Sequence, residues 1–123
     1  MNLGFIGTGE ITKAVVKGII NSKIKYNKIF LSKRNKIISK YLSSLNQKIY
    51  VLNDNQEIID RSNLVFLGIT PKVGKKIIKK LNFKKSHIVI SFISTIKLNE
   101  LKKYIKIKCT IVRAIPLPPI SLG

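Results

Sequence analysis

The amino-acid sequence predicts an α/β fold built on a doubly wound parallel sheet in a single domain, and three observations carry this. Short apolar runs alternate with amphipathic segments along the chain, about six of the first and five of the second. The run Leu64-Val65-Phe66-Leu67-Gly68-Ile69 has almost no polar interruption, as a central parallel strand covered on both faces requires. The first run stops at Gly7-Thr8-Gly9 and passes straight into a helical pattern, the strand–turn–helix unit from which such sheets are wound.

Taken in order, Leu3, Phe5 and Ile6 make the first strand. Ile11, Ala14, Val15, Gly18 and Ile19 then recur at helical spacing, and Asn21-Ser22-Lys23 closes the turn. Ile29-Phe30-Leu31 is the second strand, ending in Ser32-Lys33-Arg34-Asn35. Ile37, Ile38, Tyr41, Leu42 and Leu45 give the next helix its apolar face. Ile49-Tyr50-Val51 is the third strand. Asp54 with Glu57 fits a capping box that starts a short helix running to Asp60. After the fourth strand, Thr70-Pro71 opens a helix that buries Ile77, Ile78 and Leu81, with Lys75, Lys76, Lys79 and Lys80 on its solvated side. Ile88–Phe92 is the fifth strand. Leu98, Leu101 and Ile105 mark the last helix, and Cys109–Val112 the sixth strand. Pro116-Leu117-Pro118-Pro119 continues neither helix nor sheet interior. The implied strand order is 3-2-1-4-5-6, a Rossmann-like sheet, with Gly7, Ser32, Gly68 and Ser91 at or near its carboxyl edge, where ligands of such sheets bind.

Composition limits the function classes. The 123 residues suffice for one domain with a real core. Lysines break every apolar stretch well short of the ~18 residues of a membrane span, and the N-terminus has no signal-peptide pattern, so no membrane partner and a cytoplasmic location are expected. Net charge is +19, which invites a polyanion partner. The basic residues are almost all lysine, with only Arg34, Arg61 and Arg113 as arginines, and they are spread along the chain. Specific phosphate and base recognition favours arginine, so the expectation is salt-sensitive adhesion and no specific nucleic acid. Cys109 is the only cysteine and the chain has no metal-ligand cluster. His87, the only histidine, reads as a surface or strand-end residue without a catalytic partner.

The glycine turn carries the chemistry. Gly7 permits the tight turn and Gly9 lets the backbone approach a pyrophosphate, which the free N–H groups and positive dipole end of the helix then face. The third glycine of G-x-G-x-x-G falls on Thr12, so the fingerprint is incomplete. No acid lies between Asn21 and Asn53 to accept from a ribose 2′-hydroxyl. Ser32, Lys33 and Arg34 stand there instead: Arg34 can grip a 2′-phosphate with a planar fork, Lys33 adds charge, and Ser32 offers a hydroxyl. NADP is the expected cofactor.

These stretches, GFIGTGEITKAVVKGI (Gly4–Ile19), LSKRN (Leu31–Asn35), DNQEIID (Asp54–Asp60), NLVFLGITP (Asn63–Pro71) and VRAIPLPP (Val112–Pro119), together resemble the N-terminal dinucleotide-binding domain of the pyrroline-5-carboxylate reductase family. The resemblance implies pyrophosphate contacts at Gly7, Thr8, Gly9, Glu10 and Ile11, and 2′-phosphate contacts at Ser32, Lys33 and Arg34. It implies an adenosine-side contact at Asn55, and a loop along the cofactor at Gly68, Ile69, Thr70 and Pro71. It implies hydride transfer from NADPH to a cyclic imine, in proline biosynthesis. The family's A-V-K-P carries Thr70 in place of lysine here, its small-residue turn after the fifth strand becomes Ser91-Phe92-Ile93-Ser94-Thr95, and its M-P-N-T-P becomes Ile115–Pro119, where Leu117 has no amide. Members of the family continue into a helical domain that dimerises and completes the substrate site. The expectation is therefore that residues 1–123 form the cofactor domain alone, with no catalytic proton donor identified and a homodimer only together with that further domain. The alternative is a stand-alone nucleotide-binding module without turnover.

Overall fold

The structure, a computed structural model, describes residues 1–114. Its elements are β1 (Asn2–Ile6), α1 (Glu10–Ile20), β2 (Lys28–Ser32), α2 (Lys36–Leu45), β3 (Ile49–Leu52), α3 (Asn55–Arg61), β4 (Leu64–Leu67), α4 (Pro71–Lys80), β5 (Ile88–Ser91), α5 (Leu98–Ile105) and β6 (Thr110–Arg113). All pairings are parallel, in the order β3-β2-β1-β4-β5-β6. Each strand carries its apolar residues on both faces, so each face needs a cover. Val16 and Ile19 of α1 with Ile38 and Leu42 of α2 cover one, packing on Leu3, Phe5, Ile29 and Leu31. Ile58 and Ile59 of α3, Ile78 of α4 and Leu101 and Ile105 of α5 cover the other, against Ile6, Val65, Leu67 and Val89. The change of side falls where α3 carries the chain from the β3 edge back to β4 beside β1, as right-handed crossovers demand. Each such fully buried side chain contributes about 1.5–3 kcal/mol before entropy is subtracted.

Several local expectations are corrected. The buried stripe of α1 is Thr12, Val16 and Ile19, and Ile11 and Gly18 face outward. Thr12 can go inside because its hydroxyl donates to the Gly7 carbonyl at 2.8 Å. In α2, Ile38 and Leu42 reach the sheet while Ile37 is 83% exposed, since one stripe of a helix can touch the sheet and the apolar residues here occupy more than one. Asp54 does cap α3, but it accepts from the Gln56 N–H, and Glu57 turns away to Arg61 at 3.1 Å, so the reciprocal half of a capping box is not made. α3 runs one residue further, to Arg61. β4 and β5 end at Leu67 and Ser91, each followed by one more N–H that still reaches the neighbouring strand, Gly68 to the Ile6 carbonyl and Phe92 to the Leu67 carbonyl, both at 2.9 Å, and β6 begins at Thr110. His87 does sit at the head of β5 but is buried, not at the surface. Its Nδ1 accepts from the Lys84 N–H at 2.8 Å and its Nε2–H donates to the Ile59 carbonyl at 2.9 Å, so it ties a turn to α3. The lysines of α4 are solvated as expected, with Lys75 3.9 Å from Glu100. The Pro116–Pro119 segment lies outside the described residues.

Candidate dinucleotide site

The carboxyl edge of the sheet holds two hollows that meet over Gly9 and the loop Gly68-Ile69-Thr70. The first, about 530 Å³, lies between the glycine turn and the start of α2, with Arg34, Asn35, Lys36 and Ile37 as its outer wall. The second, about 410 Å³, lies between α1 and the loops after β4 and β5, and adds Glu10, Ile11, Pro71, Phe92, Ile93 and Ser94. Each is of the size that small-molecule sites take. They straddle the point between β1 and β4 where the order of winding reverses, which is where such sheets hold ligands.

The glycine turn is shaped by two different requirements. Gly7 has φ +93°, and a Cβ there would stand 2.5 Å from the Gly68 carbonyl oxygen and against the Ile69 side chain, so only glycine lets β1 turn so close to the β4 loop. Gly9 has an extended backbone that any residue could adopt, and a Cβ there would meet nothing within 4 Å. Its bare face is therefore not demanded by folding. It leaves open the space in front of the first turn of α1, whose N-cap makes no side-chain hydrogen bond. That cradle, which a methyl would occupy, fits the pyrophosphate of a dinucleotide. The missing third glycine is also explained. Thr12 fits beside β4 because Gly68 has no side chain, and a Cβ on Gly68 would lie 2.9 Å from the Thr12 hydroxyl. Close helix–strand packing is obtained from the neighbouring strand's glycine in place of the helix's own.

The sequence-derived residues divide. Gly7, Thr8, Gly9, Arg34, Gly68, Ile69 and Thr70 line the first hollow, and Glu10, Ile11 and Pro71 line the second. Ser32 does not behave as expected. It is buried, its hydroxyl lies 2.7 Å from that of Thr8, and the Thr8 hydroxyl donates to the Ser32 carbonyl at 2.7 Å. One proton arrangement satisfies both bonds, with Ser32 Oγ–H donating to Thr8, so the hydroxyl ties β2 to the glycine turn and has no proton left for a ligand. Lys33 is also displaced. Its N–H continues the ladder to the Leu52 carbonyl at 3.2 Å, so the strand alternation turns its side chain away from Ser32, into a side hollow with Lys36, Lys40 and Val51, of which Lys36 also borders the first hollow. Asn55, half-buried at the start of α3, is outside the lining of both hollows.

The sequence reading missed Asn35, Lys36 and Ile37 on the adenosine-sized side, and Phe92, Ile93 and Ser94 on the other, as lining residues. Their common signal is position, since each follows the carboxyl end of a strand. The β5 loop is held in place by the Ser91 hydroxyl, which accepts from the Ile93 N–H at 3.1 Å, and by Arg113, which donates to the Ser94 carbonyl at 2.6 Å. Electrostatically the two hollows differ. No acid lines the first, and neither of the two ion pairs among the described residues involves Arg34 or Lys36. The second contains one acid, Glu10, in the first turn of α1.

Known proteins resemble this chain in sequence and in fold. A pyrroline-5-carboxylate reductase of Arabidopsis thaliana is 26% identical over 98% of this chain and 44% of its own length. The crystal structure of the 1-pyrroline-5-carboxylate reductase from Streptococcus pyogenes superposes with a TM-score of 0.77 at 27% identity, covering 94% of this chain and 42% of that one. The Plasmodium falciparum pyrroline carboxylate reductase, solved with NADP bound, shares the fold at a TM-score of 0.82 and 21% identity, over 100% of this chain and 45% of its own. The chain thus spans less than half the length of these relatives. Residues 2–95 match the model of the family described as NADP oxidoreductase, coenzyme F420-dependent, and the chain belongs to that family.

Proposed function

We propose that this chain is the NADP(H)-binding domain of an oxidoreductase resembling pyrroline-5-carboxylate reductase, acting by hydride transfer to a cyclic imine in proline biosynthesis, in the cytoplasm. The observation that carries the reading is the bare face of Gly9 in the same hollow as Arg34, with no acid in the lining. A carboxylate at that end would select a free ribose hydroxyl, whereas an unpaired guanidinium selects a phosphate. In this reading Gly7, Thr8, Gly9, Glu10 and Ile11 hold the pyrophosphate. Arg34 holds the 2′-phosphate, Asn55 flanks the adenosine side, and Gly68–Pro71 run along the cofactor. The cofactor, when bound, supplies the hydride. The chain's own part would be to seat the hydride-donating nicotinamide at the second hollow, which Ile11, Phe92 and Ile93 line with apolar side chains. Substrate contacts and any homodimer belong to the part of the relatives that this chain does not match. A module that binds without turnover is the second reading, favoured because Glu10 is the only acid lining either hollow and a first-turn glutamate serves the helix dipole.

Equilibrium titration of residues 1–123 with NADPH and NADH tests the proposal. A net charge-assisted hydrogen bond contributes on the order of 1.5–3 kcal/mol, so NADPH binds at least about tenfold more tightly. Equal affinities, or saturable binding of neither, overturn it. Added pyrroline-5-carboxylate is not reduced by this chain alone. Turnover would place a substrate site within it.

A further inference from the structure

We infer that Arg113 is a positioning residue for the nicotinamide end of the cofactor, acting through the Ser94 carbonyl to hold the outer lip of the second hollow. This rests on the NADP(H) reading above and names a residue that shapes one half of that site. Arg113 is the only charged residue of the stretch Val112–Pro119. It ends β6 in register with Ser91, the last residue of β5, so the two strands finish side by side beneath the loop that follows β5. The sheet holds the first two residues of that loop. The Phe92 N–H donates to the Leu67 carbonyl at 2.9 Å, and the Phe92 ring stacks on Phe66 with centroids 5.9 Å apart. The Ile93 N–H donates to the Ser91 hydroxyl at 3.1 Å, and the Ile93 side chain is buried. Ser94 is exposed, and its one hydrogen bond among the described residues is the 2.6 Å bond that its carbonyl accepts from Arg113. Phe92, Ile93 and Ser94 all line the second hollow, whereas Arg113 does not. The inner part of the lip is thus fixed by the sheet and the outer part by one guanidinium. Neither ion pair among the described residues involves Arg113, so no carboxylate competes with the carbonyl for it. A guanidinium is more weakly hydrated than an ammonium, which suits it to hold such a bond at an exposed position.

The test compares NADPH with adenosine 2′,5′-bisphosphate, which carries the adenosine and the 2′-phosphate and has no nicotinamide. Dissociation constants of both are measured for residues 1–123 as wild type, Arg113→Ala and Arg61→Ala. Arg61 is exposed at the opposite edge of the sheet, where Asn2 donates to its carbonyl, so its loss removes the same charge without touching the hollow. The wild type binds NADPH more tightly than the bisphosphate. Arg113→Ala weakens NADPH about fivefold, as expected for an exposed hydrogen bond from a charged donor, and leaves the bisphosphate unchanged within about twofold. Arg61→Ala leaves both ligands within about twofold, since a distant exposed charge is screened. An unchanged NADPH titration in Arg113→Ala overturns the inference, as does the same NADPH loss in Arg61→Ala. An equal loss of both ligands in Arg113→Ala also overturns it, because a residue that supports the fold as a whole would act on both. A wild type that binds both ligands equally sinks this inference alone, since the nicotinamide then adds nothing. A wild type that binds neither sinks the NADP(H) reading and this inference with it.

Discussion

Replacing Gly9 by alanine separates the two roles a glycine turn can have. The backbone at Gly9 lies at φ −106° and ψ −165°, open to any residue, and the new methyl meets no protein atom within 4 Å. Alanine is a poorer N-cap than glycine by roughly 0.5–1 kcal/mol, while removing glycine's freedom from the unfolded chain stabilises by about 0.4–1 kcal/mol. The two terms oppose each other, so stability changes by less than about 1 kcal/mol, or roughly 4 °C in Tm for a chain of this size. The ligand meets a different situation, because the methyl stands in the open space before the first turn of α1. Overpacking of that kind costs about 1–3 kcal/mol, so NADPH binds roughly 5- to 150-fold more weakly. Gly7→Ala supplies the contrast. Its positive φ and the 2.5 Å approach of the new Cβ to the Gly68 carbonyl oxygen together cost about 2–5 kcal/mol, lowering Tm by roughly 8–20 °C. Thermal melts with parallel isothermal titrations read both quantities. If Gly9→Ala binds NADPH as tightly as the wild type, the pyrophosphate does not approach Gly9 and the assignment of the cradle is wrong. If Gly7→Ala is as stable as the wild type, the crowding at the β4 loop has been misread.

Other outcomes follow from single residues. Arg34→Ala weakens NADPH about tenfold or more and leaves NADH within twofold; an unchanged NADPH titration removes Arg34 from the site. His87→Leu leaves the Lys84 N–H without its partner and removes one of the two donors to the Ile59 carbonyl, which keeps the Ser62 N–H at 3.1 Å, and lowers stability by about 1–3 kcal/mol, seen as a lower urea midpoint with NADPH affinity retained in the folded protein. An unchanged midpoint would mean that the histidine bridge carries no net stability. Burial pushes the Cys109 thiol above its ordinary pKa, so the folded protein holds less thiolate than the unfolded chain at any pH below that value. At pH 8 Cys109 in the folded protein reacts with a disulfide reagent more slowly than in urea, the gap closing as pH rises through the folded value. Equal rates at pH 8 would contradict that environment.

The architecture was legible in the sequence because it depends on one-dimensional signals. Unbroken apolar runs such as Leu64–Leu67, amphipathic segments between them and a glycine turn after the first strand determine a parallel doubly wound sheet, and the strand order follows. Gly7, Gly9, Arg34 and the Gly68–Pro71 loop could be placed at the ligand edge for the same reason, since each directly follows a strand. What the pattern does not encode is rotation. Ile37 and Ile38 are equally apolar, yet one reaches the sheet and the other is left in solvent at the lip of the cleft, because the packing of α2 on β2 and β3 decides which 100° of the helix is inside. Thr12 and Ser32 are polar in sequence and buried in the fold, because acceptors that exist only after folding, the Gly7 carbonyl and the Thr8 hydroxyl, satisfy them there. Ser32, Lys33 and Arg34 are neighbours along the chain, and only the continuing ladder to Leu52 and the Thr8 hydroxyl pair sort them into an internal tie, a lysine outside the cleft lining and an arginine on it.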